Sequence, residues 1–402
     1  MNNRYEPNCL YILRRTVCPV CICLLISCRL LSWAQSTAEA KSGGTKEPQS
    51  AVLPLSVRYG EPKTYPVGTK QSAIVGDFKC GTDGTVFLVM LDDTTALNNE
   101  INGGPHADRL HRFLVTALTP SGDVVRFAHA DIPGLRNLIP EIRYFVSPSG
   151  VYTLERAEIY DPADPDKILG HAHLILIYDY EGAYKGAVRL EPGLNPINIA
   201  AFPSGDILVV SLDKLNQTTR LLVFDQAGRP VKELKLLDED YALKLQLGDR
   251  AESQVSAGSP IWTHLALARW VPFGENLLMS STMGATLPLI EINENGIVRS
   301  TTVTLPENAS LTGIFESSDK IYHVVGSEKK LEEPLPGDPP GQKFSYTPIE
   351  IDDINPGDGI VLKRAKFARG LWPVCVRDDS YTFLSPREED GRLQVIRGTV
   401  IH

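Results

Sequence analysis

The sequence predicts an all-β fold assembled from repeated four-stranded units, and three observations support this prediction. Beyond residue 72 no amphipathic helical period of useful length occurs. Short apolar or alternating runs recur instead between turns rich in Gly, Asp, Ser and Pro. The same order of runs and turns then returns several times along the chain. With 43% hydrophobic and 22% charged residues, the composition is that of a globular protein rather than a disordered one.

The N-terminal segment has the features of an export signal. A basic start that ends in Arg14-Arg15 precedes an uncharged, apolar run over residues 16–28, which is the order found in secretory signal peptides. The run is too short for an ordinary membrane span. Three outcomes stay open: cleavage after Ala34, lipidation at Cys28 after cleavage before it, or retention as an uncleaved anchor. Each predicts an extracytoplasmic protein, either secreted or periplasmic.

Three segments follow from this interpretation: a signal over residues 1–34 (or 1–27 for a lipoprotein), a flexible tether over 35–50, and a β domain over 51–402. The tether contains no bulky apolar side chain, so it cannot pack. The whole chain has a formal charge of −9, and loss of the signal removes four arginines and one glutamate, which leaves −12. So acidic a domain is a poor partner for nucleic acid.

The best-defined repeat unit covers residues 197–234. It reads as four strands, INIAAF, ILVVSL, RLLVFD and PVKELKL, with tight turns PSGD and QAGR after the first and third strands. A turn of this kind between the first and second strands marks each unit. Six such markers give six units: Gly84, Gly150, Gly205, Glu275, Asp319 and Asp379.

This pattern resembles six-bladed β-propellers of the NHL and TolB-like kind, in which a PDG or PSG turn precedes the second strand. The resemblance covers roughly residues 52–402 and implies six four-stranded blades arranged around a central channel. The sixth unit lacks a complete outer strand, and we expect the segment 51–67 to supply it. A sandwich of two sheets is the alternative architecture.

Loss of the signal also leaves only two of the seven cysteines, Cys80 and Cys375. Each lies four residues before its marker turn. Equivalent positions on different blades point in equivalent directions around a ring and are expected to exceed the ~7 Å Cα separation that a disulfide allows. We therefore predict two buried free thiols.

Four long connections are predicted to emerge at one end of the units, called here the insertion face: residues 92–109, 155–171, 238–252 and 328–343. Their formal charges are −3, −3, −3 and −1, which is most of the net charge of the domain. Loops of this length in a compact domain are usually functional or disordered. A solvated rim that maintains solubility is the alternative. Aromatic residues in or beside the insertions offer binding anchors: Tyr160, Tyr241, Trp262 and Tyr346.

A second candidate site is the channel mouth on the same face. Counting seven residues back from each marker gives the residues expected there: Asp77, Arg143, Asn198, Ala268, Thr312 and Trp372. Six-bladed gluconolactonases resemble this pattern and hold a divalent metal at such a mouth. Asp77 and Asn198 fit two of the ligand places, whereas Thr312 replaces a carboxylate and Arg143 would repel the cation.

Two further motifs have structural explanations. His171 and His173 share one side of a predicted strand, but no third metal ligand is visible, so an exposed strand face is the better interpretation. Asp352-Asp353-Ile354-Asn355 lacks the spacing of an EF-hand, which favours a solvated turn.

The function predicted from the sequence is binding without catalysis. We expect an extracytoplasmic module that recognises a protein, peptide or glycan, cationic in character, on the acidic insertion face. No catalytic residue, cofactor or nucleic-acid partner is predicted, and contact with a membrane is expected only through an N-terminal lipid or anchor. The alternative is a metal-dependent hydrolase or lactonase that uses one divalent cation at the channel mouth.

Overall fold

The protein is all-β. A computed structural model describes residues 54–68, 73–91, 113–128, 130–161, 163–213, 218–234, 265, 268–280, 286–304, 309–315, 321–331, 344–377, 379–385 and 392–401. Within these ranges the chain forms 25 strands in five sheets. The described residues contain no helix that is long and apolar enough to cross a membrane.

Sheets I to IV each contain four strands, and every neighbouring pair within them is antiparallel and consecutive in the chain. Sheet I contains β3 (Ala73–Cys80), β4 (Val86–Leu91), β5 (Phe113–Leu118) and β6 (Val124–Arg126). Sheet II contains β7 (Leu135–Ser147), β8 (Gly150–Asp161), β9 (Asp164–Tyr178) and β10 (Tyr184–Arg189). Sheet III contains β11 (Leu194–Ala201), β12 (Ile207–Asp213), β13 (Thr218–Phe224) and β14 (Pro230–Glu233). Sheet IV contains β15 (Arg269–Phe273), β16 (Asn276–Ser280), β17 (Thr286–Asn293) and β18 (Gly296–Thr304).

Sheet III confirms the best-defined repeat unit of the sequence. Its first tight turn is closed by two backbone bonds, Gly205 N–H to the Phe202 carbonyl at 2.9 Å and Phe202 N–H to the Asp206 carbonyl at 2.8 Å. Gly205 has a φ of +96°, in a region that residues with a Cβ rarely adopt. The third-to-fourth turn repeats this solution with Gly228 at +80°. Glycine therefore sets the hairpins that give the repeat its period.

Burial divides each small sheet into a packed part and a rim. All six residues of β4 are buried, whereas all four residues of β14 are exposed. The apolar cores lie between sheets: one joins sheets II, III and IV, another joins sheets I and II, and a third joins sheet IV to sheet V. β4 thus lies in the core and β14 faces solvent, while the fourth strands β10 and β18 contribute the buried Val188 and Val303.

The first strands of the sheets lie against one another around a common centre. The contacts run from β15 (sheet IV) to β11, then to β7 and to β3. β7 also contacts β15 across the centre, so the middle of the molecule is narrow at that level. This arrangement is β-propeller-like.

Sheet V is a curled sheet of nine strands. It contains β1 (Pro54–Tyr59), β2 (Lys63–Pro66), β19 (Ala309–Ile314), β20 (Tyr322–Leu331), β21 (Phe344–Ile354), β22 (Val361–Lys366), β23 (Trp372–Arg377), β24 (Ser380–Leu384) and β25 (Arg392–Ile401). The order is β19-β20-β21-β22-β1-β25-β24-β23, with β2 beside β25. β19 contacts β15, and β23 contacts β3, so the first strands of sheet V continue the circle of first strands at both ends.

The N-terminal strands complete the last unit, as the sequence predicts. β1 pairs antiparallel with β25 from Ser56↔Ile401 to Tyr59↔Gly398, and β2 pairs with the other half of β25. On its opposite edge β1 pairs parallel with β22. Val57 packs in the core of sheet V, and Tyr65 packs between sheets I and V. The segment therefore fastens the last strand to two neighbouring parts of the fold.

The prediction that residues 155–171 and 328–343 form loops is wrong, at least in part. Residues 155–171 belong to a long hairpin of β8 and β9, paired from Val151↔Tyr178 out to Asp161↔Asp164. β20 and β21 likewise continue to Leu331↔Phe344. The hydrophilic residues that suggested loops are compatible with strands because both faces of a projecting hairpin meet solvent. Residues 92–109, 238–252 and 332–343 lie outside the described residues.

The prediction of two free thiols is also wrong. Cys80 and Cys375 form a disulfide, with a Cα–Cα distance of 5.6 Å. Cys80 is the last residue of β3, whereas Cys375 lies two residues before the end of β23. Their turns differ in length, so the two cysteines are not at equivalent heights. Rotational symmetry therefore does not hold them apart.

Candidate binding face

Five of the first strands carry a β-bulge near the middle of the molecule. The pairing with the second strand shifts in β3, β7, β11, β19 and β23, while β15 pairs without a shift. The extra residues in these bulges include 76–78 in β3 and 141–143 in β7. Bulges redirect side chains and are common at rims and sites. The residues predicted for the channel mouth were counted on these same first strands.

The predicted mouth residues fall in or beside these bulges. Asp77, Arg143 and Thr312 lie within them, in β3, β7 and β19. Trp372 begins β23 just before its bulge and is 40% exposed. Arg143 is exposed, whereas Ala268, which precedes β15, is buried. The topology thus brings the set to the inner strands, although its chemistry is mixed.

The side chain of Asn198 is buried and hydrogen-bonded to the backbone around it. Its Nδ2 donates to the carbonyls of Ala268 at 2.9 Å and Leu265 at 3.3 Å, and its Oδ1 accepts the Ile199 N–H at 3.0 Å. The side chain is 7% exposed. These bonds tie β11 to the segment that leads into sheet IV. They already use the amide oxygen that a metal would need. No group of three or more His, Cys, Asp or Glu able to hold a metal occurs in the described part of the chain.

The β8–β9 hairpin is the most prominent feature of the insertion face. Its ladder continues to the tip, where Lys167 Nζ lies 3.1 Å from Asp161 Oδ2. Ile159 pairs with Gly170 and Tyr160 with Ile168, so Leu169 is an extra, bulged residue on β9. Ile168 and Leu169 are 47% and 55% exposed. The tip therefore presents two large apolar side chains to solvent.

The four aromatic residues predicted as binding anchors lie in different parts of the chain. Tyr160 is half-buried on the hairpin, directly opposite Ile168. Tyr346 lies in β21, paired with Lys329 in the second long hairpin. Tyr241 and Trp262 lie outside the described residues. The structure therefore places two of the four on projecting hairpins.

The two histidines of the sequence motif lie on β9. His171 is exposed and His173 is half-buried.

The second hairpin is held to the β22–β23 connection by an ion pair. Arg369 Nη2 lies 2.8 Å from Glu328 Oε2, with both side chains largely exposed. The connection is also bonded to β1, because the Ala368 N–H donates to the Tyr59 hydroxyl at 2.6 Å. Exposed pairs of this kind contribute little stability, about 0–1 kcal/mol. The ion pair therefore marks where the hairpin meets the connection and adds little to the stability of the fold.

Sequence reasoning missed a buried polar cluster in sheet V. Asp352 and Asp353 are not in a solvated turn but buried in β21. Asp353 Oδ1 lies 2.7 Å from His323 Nδ1 on β20, and Asp352 accepts two bonds from Arg364 on β22 at 2.7 and 2.8 Å. The partners come from other strands, so no local pattern identifies them. An Asp-Asp pair within an alternating apolar run was the only available signal.

Glu350 belongs to the Arg364 side of this cluster. Burial, followed by the nearby Asp352 carboxylate, raises the pKa of Glu350, while Arg364 opposes the shift. Arg364 Nε lies 3.5 Å from Glu350 Oε1. The cluster lies near the tight-turn end of sheet V, opposite the insertion face. Its groups pair with one another, which fits a role in packing.

Comparisons with known proteins identify no family. No family model matches the chain, and no curated protein matches it. Among solved structures, a member of the DUF4221 family from Bacteroides vulgatus is similar over 86% of this chain and 99% of its own, with 8% identity and a TM-score of 0.41. A protein of unknown function from Bacteroides caccae (72% and 81% covered, 11% identity, TM-score 0.34) and the polysaccharide lyase Uly1 (82% and 77%, 11%, 0.36) are also similar. The fold assignment rests on the strand pairings of the chain itself.

Proposed function

We propose that this protein is an extracytoplasmic binding module that recognises a basic protein or peptide on its insertion face. The observation that carries the proposal is the β8–β9 hairpin, which is paired out to Asp161↔Asp164 with bulges near its tip and exposes Ile168 and Leu169 there. A rigid hairpin loses little conformational entropy when it binds. Exposed apolar residues with charged neighbours are typical of interaction sites.

We further propose that the scaffold is a six-bladed ring. Sheet V then supplies two blades, one of β19–β22 and one of β23–β25 with β1 and β2 as its outer strand. The contact between β23 and β3 and the disulfide between Cys80 and Cys375 support closure between the first and last blades. A closed ring would hold the insertions of all blades on one rigid face.

An extracytoplasmic location is supported by two independent features. The N-terminal sequence has the order of a signal peptide. The two cysteines beyond that segment form a disulfide, and such bonds persist in oxidising compartments. Mass spectrometry of the protein purified from its own host would identify the mature N-terminus. An N-terminus at residue 1 without lipid, on protein recovered from the soluble cytoplasmic fraction, would contradict the export proposal.

The test of binding compares two pairs of charge-neutralising substitutions. A partner is first captured by crosslinking in the native compartment. Glu158→Gln/Asp164→Asn removes two charges from the β8–β9 hairpin, and Glu181→Gln/Glu275→Gln removes two from exposed turns at the opposite end. Because charge steers encounter over a Debye length of ~8 Å, the hairpin variant should associate several-fold more slowly at low salt. Equal association rates for the two variants would contradict the proposal.

A further inference from the structure

The outer edge of β9 has no strand beside it in the described part of the hairpin. β10 pairs with β9 only from Leu174 to Tyr178, and the last backbone bond joins the Leu190 N–H to the His173 carbonyl at 3.0 Å. On its other edge β9 is paired with β8 out to Asp164. β9 is therefore fixed from one side and, beyond His173, open on the other.

The direction of the backbone groups follows from that last bond. Because His173 directs its carbonyl toward β10, its N–H and C=O both lie on the outer edge, and alternation places those of His171 there too. His171 is exposed, and in the described part of the chain no strand pairs with the outer edge of β9 at this position. An added Cβ at Gly170 would meet nothing within 4 Å, so no described residue covers this face of the hairpin next to the edge.

We propose that residues 168–172 of β9 bind an extended, basic segment of another protein as an added β-strand. This inference rests on the proposed function and specifies how the partner is held. Main-chain hydrogen bonds would supply the attachment, and alternate side chains the selectivity. Ile168 and Leu169 offer apolar contact on the hairpin.

Charge favours a basic segment over an acidic one or a second copy of this edge. Residues 155–171 of the hairpin contain five acidic and two basic residues, a formal charge of −3. Glu158 pairs directly with His171 across the ladder, so it is the carboxylate nearest the open backbone position. A long basic side chain on an added strand reaches across β9 toward this group. Two copies of the edge would instead bring like charges together, which is unfavourable.

The test begins with selection of a random dodecapeptide phage library on the full chain purified from its host. The affinity of the best synthetic peptide is then measured by fluorescence anisotropy for the wild type, His171→Pro and His171→Ala. Proline removes the outward N–H without breaking the β8–β9 ladder, whereas alanine keeps it. We expect basic peptides that bind His171→Pro at least tenfold more weakly and His171→Ala within twofold.

A second experiment changes the peptide instead of the protein. N-methylation of alternate peptide amides should weaken binding to the wild type at least tenfold, and this result does not depend on whether His171→Pro folds. The proposal is overturned if no peptide is selected, or if the selected peptides tolerate both changes. Wild-type self-association that His171→Pro abolishes would assign the edge to a second copy and also overturn it. Peptides that respond to Glu158→Gln/Asp164→Asn but not to His171→Pro would refute strand addition and leave the binding face standing. Insensitivity to both would refute both.

Discussion

Cys80 and Cys375 join the first strand of sheet I to the first strand of the last unit, across a sequence separation of 295 residues. The bond lies at the core shared by the two sheets, where Cys375 is buried with Val374 and Leu88. A crosslink over so long a loop restricts the unfolded chain strongly. The disulfide therefore acts on the closure of the whole arrangement rather than on one hairpin.

Removing this bond should cost a large part of the stability. Cys80→Ser/Cys375→Ser is expected to lower the free energy of unfolding by about 2–5 kcal/mol. Guanidinium unfolding of the variant and of the wild type, with and without reductant, measures the difference. Reductant should destabilise only the wild type. Free thiols from these two positions in denatured, unreduced wild type would contradict the pairing.

Deleting residues 51–67 should destabilise the protein severely. The deletion exposes the edge of β25 and removes buried Val57, Tyr65 and Val67, each of which stabilises by about 1.5–3 kcal/mol. We expect aggregation, or a thermal midpoint lower by more than 10 °C (roughly 2–4 °C per kcal/mol). Deletion of residues 35–50 is the control and should leave the midpoint unchanged. Equal melting of both truncations would contradict the pairing of β1 and β2.

Tyr65 offers a finer version of this test. Its hydroxyl donates to the Thr119 carbonyl of sheet I at 2.7 Å while its ring packs in the core. Tyr65→Phe should cost about 1 kcal/mol, the value of one hydrogen bond, and Tyr65→Ala about 3–5 kcal/mol. Chemical denaturation resolves the two. Similar costs for both substitutions would show that the ring does not pack there.

The buried pair of His323 and Asp353 should show strong coupling. Removing one partner leaves the other buried without compensation, so Asp353→Leu and His323→Leu are each expected to cost about 3–5 kcal/mol. The double variant should cost less than the sum of the two single changes. A double-mutant cycle in denaturant measures the coupling. Additive costs would mean that the 2.7 Å contact contributes nothing.

Asn198→Asp should destabilise the protein by about 1–3 kcal/mol. A carboxylate cannot donate, so the Leu265 and Ala268 carbonyls would lose their amide partner. Metal analysis of the wild type and of Asp77→Ala provides a second measurement. A stoichiometric divalent ion that is present in the wild type and lost in Asp77→Ala would revive the hydrolase alternative.

Glu350 should make the stability depend on pH. Because burial raises its pKa in the folded state, its favourable contribution is complete below the pKa of the unfolded carboxyl, about 4.3, and is lost as the pH rises through the raised value. Glu350→Gln should reduce this loss. The free energies of unfolding at pH 4.5 and pH 7.5 test it, with exposed Glu181→Gln as the control. Identical pH dependence in Glu350→Gln and wild type would contradict the assignment.

The tight turns and buried strands could be predicted from sequence because they depend on local chemistry. Gly205 and Gly228 adopt positive φ at the positions that the repeat indicates. The segment 51–67 could be assigned as a strand because it is strand-like and precedes the first unit, while the last unit lacks an outer strand. Local signals of this kind are independent of the rest of the chain, so one sequence is enough to find them.

The features that escaped prediction depend on register or on distant partners. The Cys80–Cys375 pairing follows from turn lengths and bulges that a count of residues from the turn does not detect. The β8–β9 hairpin looks like a loop because charged residues alternate with few apolar ones on a strand that projects into solvent. Asp353 is buried because His323 comes to it from another strand. These outcomes are decided by tertiary structure.

The pairing of β1 with both β22 and β25 also has a consequence for biosynthesis. β1 is made first and its antiparallel partner β25 last among the described strands, so the N-terminal strand must wait for almost the entire domain to be synthesised. Contacts of such high sequence separation form slowly. During synthesis the nascent chain therefore lacks the strand pairing that completes sheet V. For the export proposed above, this delay would favour passage through a translocation channel as an unfolded polypeptide, with final assembly only after the last strand has crossed.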